Sequence, residues 1–383
     1  MNTIPVAKPY LTQEEAQSAH ETILSGWVTQ GPKVQEFEEK FAAYVGSRYA
    51  VAVSSCTTAL HLAMIVAGIK AGNEVICPSM SYIATSNSIL YTGALPVFAD
   101  VNPRTYNIDA AQIEKLITDR TKAILIVHQM GLPADIDAFK LLCDKYHLIL
   151  IEDAACAVGS MYKGKKIGSH SDLVCFSFHP RKVITTGDGG MITTSRKELH
   201  DRLKILRQHG MSVNDRQRHQ SNQLIFEEHV EVGYNYRMTD IQASVGIKQL
   251  EKLNWIISER RKIAAKYNES FKSLDCITLP REEEGYFTNY QSYCLYLKGN
   301  APVTRNELME SLLRKGISTR RGIMTSHREP AYKELYQNLK LPVSENLSDR
   351  SLILPLYVGM TDNDTRYITS VLIELLKNRK GYK

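Results

Sequence analysis

Short, continuous Val/Ile/Leu-rich runs alternate with amphipathic stretches between Asn73 and Asp153, and nothing else in the chain restricts its fold as strongly. The runs EVICPS, ALPVFADV, KAILIVH and HLILIED are separated by helical patterns over residues 82–91, 110–117 and 136–146. A strand open to water on one face alternates apolar and polar residues, whereas an unbroken apolar run is buried on both faces. The pattern therefore predicts a mostly parallel sheet with helices on both sides, a three-layer α/β/α arrangement. Ligands of such sheets gather at the carboxyl ends of the strands. Asp153 closes HLILIED and so stands where a ligand is expected, although it could equally cap the helix begun by AACAV.

The flanking chain extends this frame. Residues 12–24 and 34–45 read as helices joined by the loop 25–32, and RYAVAVS reads as a strand that leads through Ser55-Cys56-Thr57-Thr58 into the helix ALHLAMIVAGI. Ser and Thr at such a junction cap the helix, and the same helix start, with its free N–H groups and positive dipole end, suits an anion. Residues 210–231 are polar, without period, and read as an exposed loop. A long helix follows to about Phe271, with Thr239 or Asp240 as its cap. The tail combines a strand-like TNYQSYCLYLKG, a capping box at Thr304-Arg305-Asn306-Glu307, the basic loop GISTRRG and a helix over 361–377. With 383 residues the chain exceeds one small core. The expected division is a large domain over residues 1–250 and a smaller C-terminal α+β domain over 251–383.

Charge and cysteines narrow the class. The net charge of +6 comes from 47 basic and 41 acidic residues spread along the chain, so no nucleic-acid footprint is expected. The 7 cysteines are irregularly spaced, without C-x-x-C or metal spacing, which points to reduced thiols and no metal. The N-terminus lacks a basic segment followed by an apolar one, and no run is long enough to span a membrane. A cytoplasmic protein is expected.

The stretch LVCFSFHPRKVITTGDGGMITT carries the chemistry. An apolar strand ends at Ser177, Pro180 constrains the turn, and the glycines permit tight bends, so Lys182 is held between two strand ends. Alone it could be one more solvated lysine. Together with Asp153, Ser177 and the anion-ready Cys56-Thr57, it matches what pyridoxal phosphate requires. That cofactor needs a helix start and hydroxyls for its phosphate, a carboxylate for its ring nitrogen and a lysine for its aldehyde.

The segments GPKVQEFEEKFAAYVG, SSCTTALHLAM, TKAILIVHQMGLPADID, IEDAACAVGS, CFSFHPRKVITTGDGGMITT, GYNYRMTDIQAS and LPLYVGMTDND resemble, in order, signatures of the DegT/DnrJ-type nucleotide-sugar aminotransferases. The resemblance covers nearly the whole chain and implies the fold type I architecture of pyridoxal-phosphate enzymes. It implies that Lys182 forms the Schiff base and that Asp153 partners the pyridine nitrogen. It further implies that Cys56, Thr57 and Ser177 contact the phosphate, that Tyr82 covers the ring, and that Asn235 reaches the phosphate of a neighbouring subunit in a homodimer with shared sites. Cys56 stands where a glycine is usual. Cys156 stands where many relatives have Gln or His beside the phenolic oxygen, and is read as a cofactor neighbour.

The activity so implied is amino transfer from L-glutamate to a nucleotide-linked keto-sugar, with Lys182 as the proton carrier. A free lysine, with a pKa of about 10.4, is a poor base at neutral pH, so desolvation and neighbouring positive charge are expected to favour its neutral form. Arg181, Arg320, Arg321 and His327 are candidates for the diphosphate, and Arg237 for a substrate carboxylate or a dimer contact. His179 reads as structural. SFHPRK and GISTRRG resemble enzymes that make 4-amino-4,6-dideoxy sugars of surface polysaccharide. The alternatives are a keto-sugar dehydratase of the same fold, which has histidine in place of the lysine, and a cofactor-bound regulatory or sugar-binding protein.

Overall fold

The computed structural model describes residues 3–212 and 226–377. Its main strands, in chain order, are β1 (Tyr49–Val53), β2 (Glu74–Pro78), β3 (Leu95–Ala99), β4 (Thr121–Val127) and β5 (Ile149–Asp153). A small hairpin of β6 (Met161–Tyr162) and β7 (Lys165–Lys166) precedes β8 (Leu173–Ser177) and β9 (Gly190–Thr194). Seven of these form one sheet in the order β1-β9-β8-β5-β4-β2-β3. Its pairings are parallel except those of β9, which runs against both β8 and β1. The Phe178–Gly189 connection holds no helix to carry a parallel crossover and turns the chain back beside β8.

The apolar runs are buried on both faces. Ala50, Ala52, Ile124, Ile126 and Phe176 enter one core with Phe37 and Phe41 of α2 (the helices being α1, Gln13–Leu24; α2, Pro32–Val45). Their neighbours Val51, Val53, Ala123, Leu125 and Cys175 enter the opposite core with Leu60, Leu62 and Met64 of α3 (Cys56–Val66). Helices α4 (Ala84–Leu90) and α6 (Lys197–Leu206) share that second layer, and α5 (Ile136–Tyr146) lies in the first. The three-layer, mostly parallel architecture expected from the sequence is therefore present.

Helix α7 (Asp240–Phe271) joins the two halves. Ile247 to Ile257 pack into the first large core, while Ile263, Ala264, Tyr267 and Phe271 belong to the core of the C-terminal part. We place the division between those two groups, later in the helix than residue 250. The smaller part contains β10 (Ile277–Thr278), β11 (Tyr286–Phe287), β12 (Tyr293–Leu297), β13 (Arg320–Arg321) and β14 (Ser351–Leu354). Four of these form an antiparallel sheet, β10-β12-β14-β13, and β11 pairs with the β6–β7 hairpin instead. The N-terminal segment also lies on this part, Ile4 bridging to Ile317.

Two local expectations are refined. Residues 110–117 form two single 3₁₀ turns, Ala110–Gln112 and Glu114–Leu116, rather than one helix. So short a segment gains too few hydrogen bonds to offset α-helix nucleation. Thr239 caps α7 in a box with Gln242, while Asp240 turns outward from that role. Its carboxylate accepts the N–H groups of Gly31, Lys33 and Val34 at 2.7, 3.0 and 2.9 Å and so caps α2. Of the expected loop over 210–231, residues 213–225 lie outside the described residues.

Candidate active site

The site is built on the carboxyl ends of β5 and β8 and the start of α3. Asp153, the last residue of β5, is 5% exposed. One carboxylate oxygen accepts the N–H of Ala155 at 3.1 Å, and the other accepts the hydroxyl of Thr85 at 2.8 Å. Because Thr85 spends its proton on Asp153, Ser81, 2.7 Å away, donates in turn to Thr85. A buried relay from Ser81 through Thr85 thus orients the carboxylate. No ion pair to a lysine, arginine or histidine engages Asp153 among the described residues, so its charge is free to meet a cation at that strand end.

Lys182 reaches the same place from the other side. The turn after β8 is closed by the N–H of Lys182 donating to His179 at 2.8 Å, and by Thr185 and Thr186 both donating to the carbonyl of Phe178. Lys182 Nζ lies 3.2 Å from Cys156 Sγ. Burial disfavours the ammonium, but the Cys156 sulfur beside it and the Asp153 carboxylate favour it, and the balance lies above the ordinary lysine value. Burial, with Asp153 and Cys175 adding to it, pushes the Cys56 thiol well up, so that sulfur stays protonated at neutral pH.

At α3, Ser55 and Thr58 form a reciprocal capping box. The cap uses the N–H groups of Thr58 and Ser55, leaving those of Cys56 and Thr57 without partners among the described residues. The junction is a capped helix whose Cys56 and Thr57 N–H groups remain available to an anion. The approach depends on Gly190, where a Cβ would lie 2.4 Å from the carbonyl oxygen of Ser55 and 2.8 Å from the nitrogen of Cys56. Ser177 ends β8, buried, with its hydroxyl 3.4 Å from the N–H of His179.

The remaining sequence candidates are spread around this centre. Tyr82 is 65% exposed, one turn before Thr85, whose N–H donates to its carbonyl at 3.0 Å. Arg181 is exposed and its carbonyl accepts from Gln291 at 3.0 Å. Arg320 is exposed on β13, and its guanidinium value is lowered by partial burial and by the charge of Arg181. The imidazolium of His179 is disfavoured by burial and by the charges of Lys182, Arg181 and Arg320, with Asp188 acting the other way, so these three cations lie within electrostatic reach of one side chain. Arg321, beside them, pairs with Glu329 at 3.3 Å.

Asn235 is exposed and Arg237 half-buried; both lie on the segment whose Tyr236 carbonyl accepts from Ser54, beside the start of α3. His327 is placed differently. It is 4% exposed, with Nδ1 2.6 Å from Ser79 Oγ and Nε2 3.2 Å from Glu345, so both ring nitrogens are engaged inside the fold.

Comparison with known proteins shows the family. Residues 9–373 match the DegT/DnrJ/EryC1/StrS aminotransferase family, and the chain belongs to it. It is 38% identical over 380 residues to the GDP-perosamine synthase of Escherichia coli O157:H7, covering 99% of this chain and 100% of that one. It is also 38% identical over 378 residues to the spore coat polysaccharide biosynthesis protein SpsC of Bacillus subtilis, covering 98% and 97%. Among solved structures, the putative sugar aminotransferase Spr1654 from Streptococcus pneumoniae in its PMP form superposes with a TM-score of 0.92 at 28% identity, over 98% of this chain and 99% of that one. The protein is thus a fold type I, pyridoxal-phosphate-dependent sugar aminotransferase.

The residues present fit that cofactor: a buried carboxylate without a cation, two unused N–H groups at a helix start, and a constrained amine facing them. Lys182, Asp153, Ser177, Cys56 and Thr57 would hold it, and when bound it supplies an electron sink for the substrate carbon. Sequence reasoning missed Thr85 and Ser81. Their one local signal is the i, i+4 spacing that puts two hydroxyls on one side of a helix start.

Proposed function

We propose that this protein moves the amino group of L-glutamate to a nucleotide-linked 4-keto-6-deoxy sugar, in amino-sugar biosynthesis for a surface polysaccharide. The observation that carries the reading is that half-buried Lys182 and buried Asp153 are accompanied by exposed Arg181 and Arg320, whose charges both act on His179, three residues before the lysine. Guanidinium groups suit a diphosphate, and the names of the perosamine and spore-coat relatives support a sugar acceptor. Lys182 carries the proton at the substrate carbon, Asp153 keeps the ring nitrogen charged, and Tyr82 covers the ring.

The protein acts as a homodimer with shared sites. Phe226 and Val232, 81% and 88% exposed, lie on the segment that leads to Asn235. Large apolar side chains so exposed next to a candidate phosphate ligand are what a second copy would cover. Sedimentation should therefore give a dimer.

The test is absorbance of the holoenzyme. Glutamate should shift the cofactor band, and one member of a panel of GDP-, UDP- and dTDP-linked 3-keto and 4-keto sugars should restore it. A band that glutamate leaves unchanged would contradict the donor, and a band restored only by 3-keto sugars would contradict the position aminated.

A further inference from the structure

A cavity of about 880 Å³ lies between the edge of the large sheet and the small antiparallel sheet. Its walls come from residues 103–106 and 129–132 on one side and from residues 278–283, β12 and the helix Pro342–Arg350 on the other. None of Tyr82, Asp153, Cys156, Ser177 and Lys182 lines it. The two sides are fastened beside the cavity by Asp100, whose carboxylate accepts the N–H groups of Val343 and Ser344 at 3.0 and 2.7 Å. The hydroxyl of Tyr106 adds a contact to Ser351 at 3.2 Å. The cavity's walls are thus tied together by the fold's own hydrogen bonds, and its volume is in the range of small-molecule sites.

Its chemistry is specific. Tyr106, Tyr290, Tyr296, Leu132 and Leu279 supply a largely aromatic and apolar lining, and the phenol of Tyr296 is already spent on Asn346 at 2.6 Å. At the rim the acidic groups are neutralised. Glu283 pairs with Arg104 at 3.3 Å, and Glu282 is held by Arg261 at 2.6 and 2.8 Å. Arg281 has no ion pair or hydrogen bond among the described residues, so it leaves one uncompensated positive charge. Gln129, 4% exposed, donates its side-chain amide to the carbonyl of Met80 and leaves its amide oxygen without a partner among the described residues. That oxygen is not sealed in the fold, so it can accept from water or from a donor that enters the cavity.

We infer that this cavity is a second ligand site, separate from the Lys182 centre, for a small monoanion with a flat apolar body and one N–H or O–H donor. The anionic end meets Arg281, the body lies among the tyrosines, and the donor meets Gln129. Two of its walls continue to the active site. Gln129 holds Met80, the neighbour of Ser81 in the relay to Asp153, and Tyr290 adjoins Gln291, which holds the carbonyl of Arg181.

Anilinonaphthalene sulfonate has these three features and is the probe. Holoenzyme titrated with the dye should bind one equivalent with a rise in fluorescence. Arg281→Gln should weaken binding on the order of tenfold, the loss of one charged hydrogen bond, and Leu279→Trp, which fills the cavity, should abolish it. Saturating glutamate and a nucleotide-linked keto-sugar should leave the dye bound. Arg281 is exposed, so its variant should keep the cofactor absorbance and unfolding temperature even if the Trp variant fails to fold. The inference is overturned if no stoichiometric binding occurs, if Arg281→Gln binds like the parent, or if the substrates displace the dye.

Discussion

The two halves of the active site are built on different physical terms. The half that faces the cofactor is buried and locked: Asp153 is oriented by Ala155 and Thr85, Lys182 by a turn with three backbone acceptor contacts, and the start of α3 by a capping box. The half assigned to the sugar nucleotide is open, with Arg181, Arg320 and Arg321 exposed on a loop and a short edge strand. Chemistry that every substrate shares sits where packing fixes geometry to tenths of an ångström. Recognition that distinguishes one nucleotide sugar from another sits where side chains can change without cost to the core.

Substitutions can break this contrast. The largest effect belongs to Lys182→Ala, which should lower kcat by about 10²–10⁴-fold, the usual contribution of a positioned proton carrier. Asp153→Asn should follow, at roughly 10²–10³-fold, with the cofactor band shifted because the ring nitrogen loses its charged partner. Thr85→Val tests whether the relay matters. It removes one hydrogen bond to a charged group, worth about 1.5–3 kcal/mol, or roughly ten- to a hundredfold in kcat, with KM for the nucleotide sugar little changed. Arg320→Ala should do the reverse, raising that KM about tenfold at nearly constant kcat. If Arg320→Ala instead lowered kcat alone, the division between locked and open halves would be wrong.

The smallest effect on turnover lies far from both. The Glu15 carboxyl is buried, which would raise its pKa, but Lys252, Gln249 and Thr12 together lower it to about 2. A depressed folded value contributes stability above the ordinary value of 4.5 that is lost as pH falls through about 2. The unfolding temperature should drop across that window, and Glu15→Gln should flatten the drop while leaving neutral-pH kcat unchanged.

How legible these parts were follows from the range over which each is specified. Strand runs, the Ser55–Thr58 cap, the constrained Lys182 turn and the strand-end Asp153 are local patterns, and each could be read from a few adjacent residues. Thr85 could not, because its partner lies 68 positions away. His327 sits in a basic loop and reads as an exposed cation, yet Ser79, 248 positions distant, draws it inside. Gly190 was legible as a turn residue, but not as the space that admits the backbone of Ser55 and Cys56.

The account rests on Lys182 as the residue that holds the cofactor. Borohydride reduction of the holoenzyme, followed by digestion and mass analysis, fixes the cofactor to whichever amine carries it. The pyridoxyl mass is expected on the peptide containing Lys182 and on no other. The same mass on another lysine, with Lys182 recovered unmodified, would contradict the account.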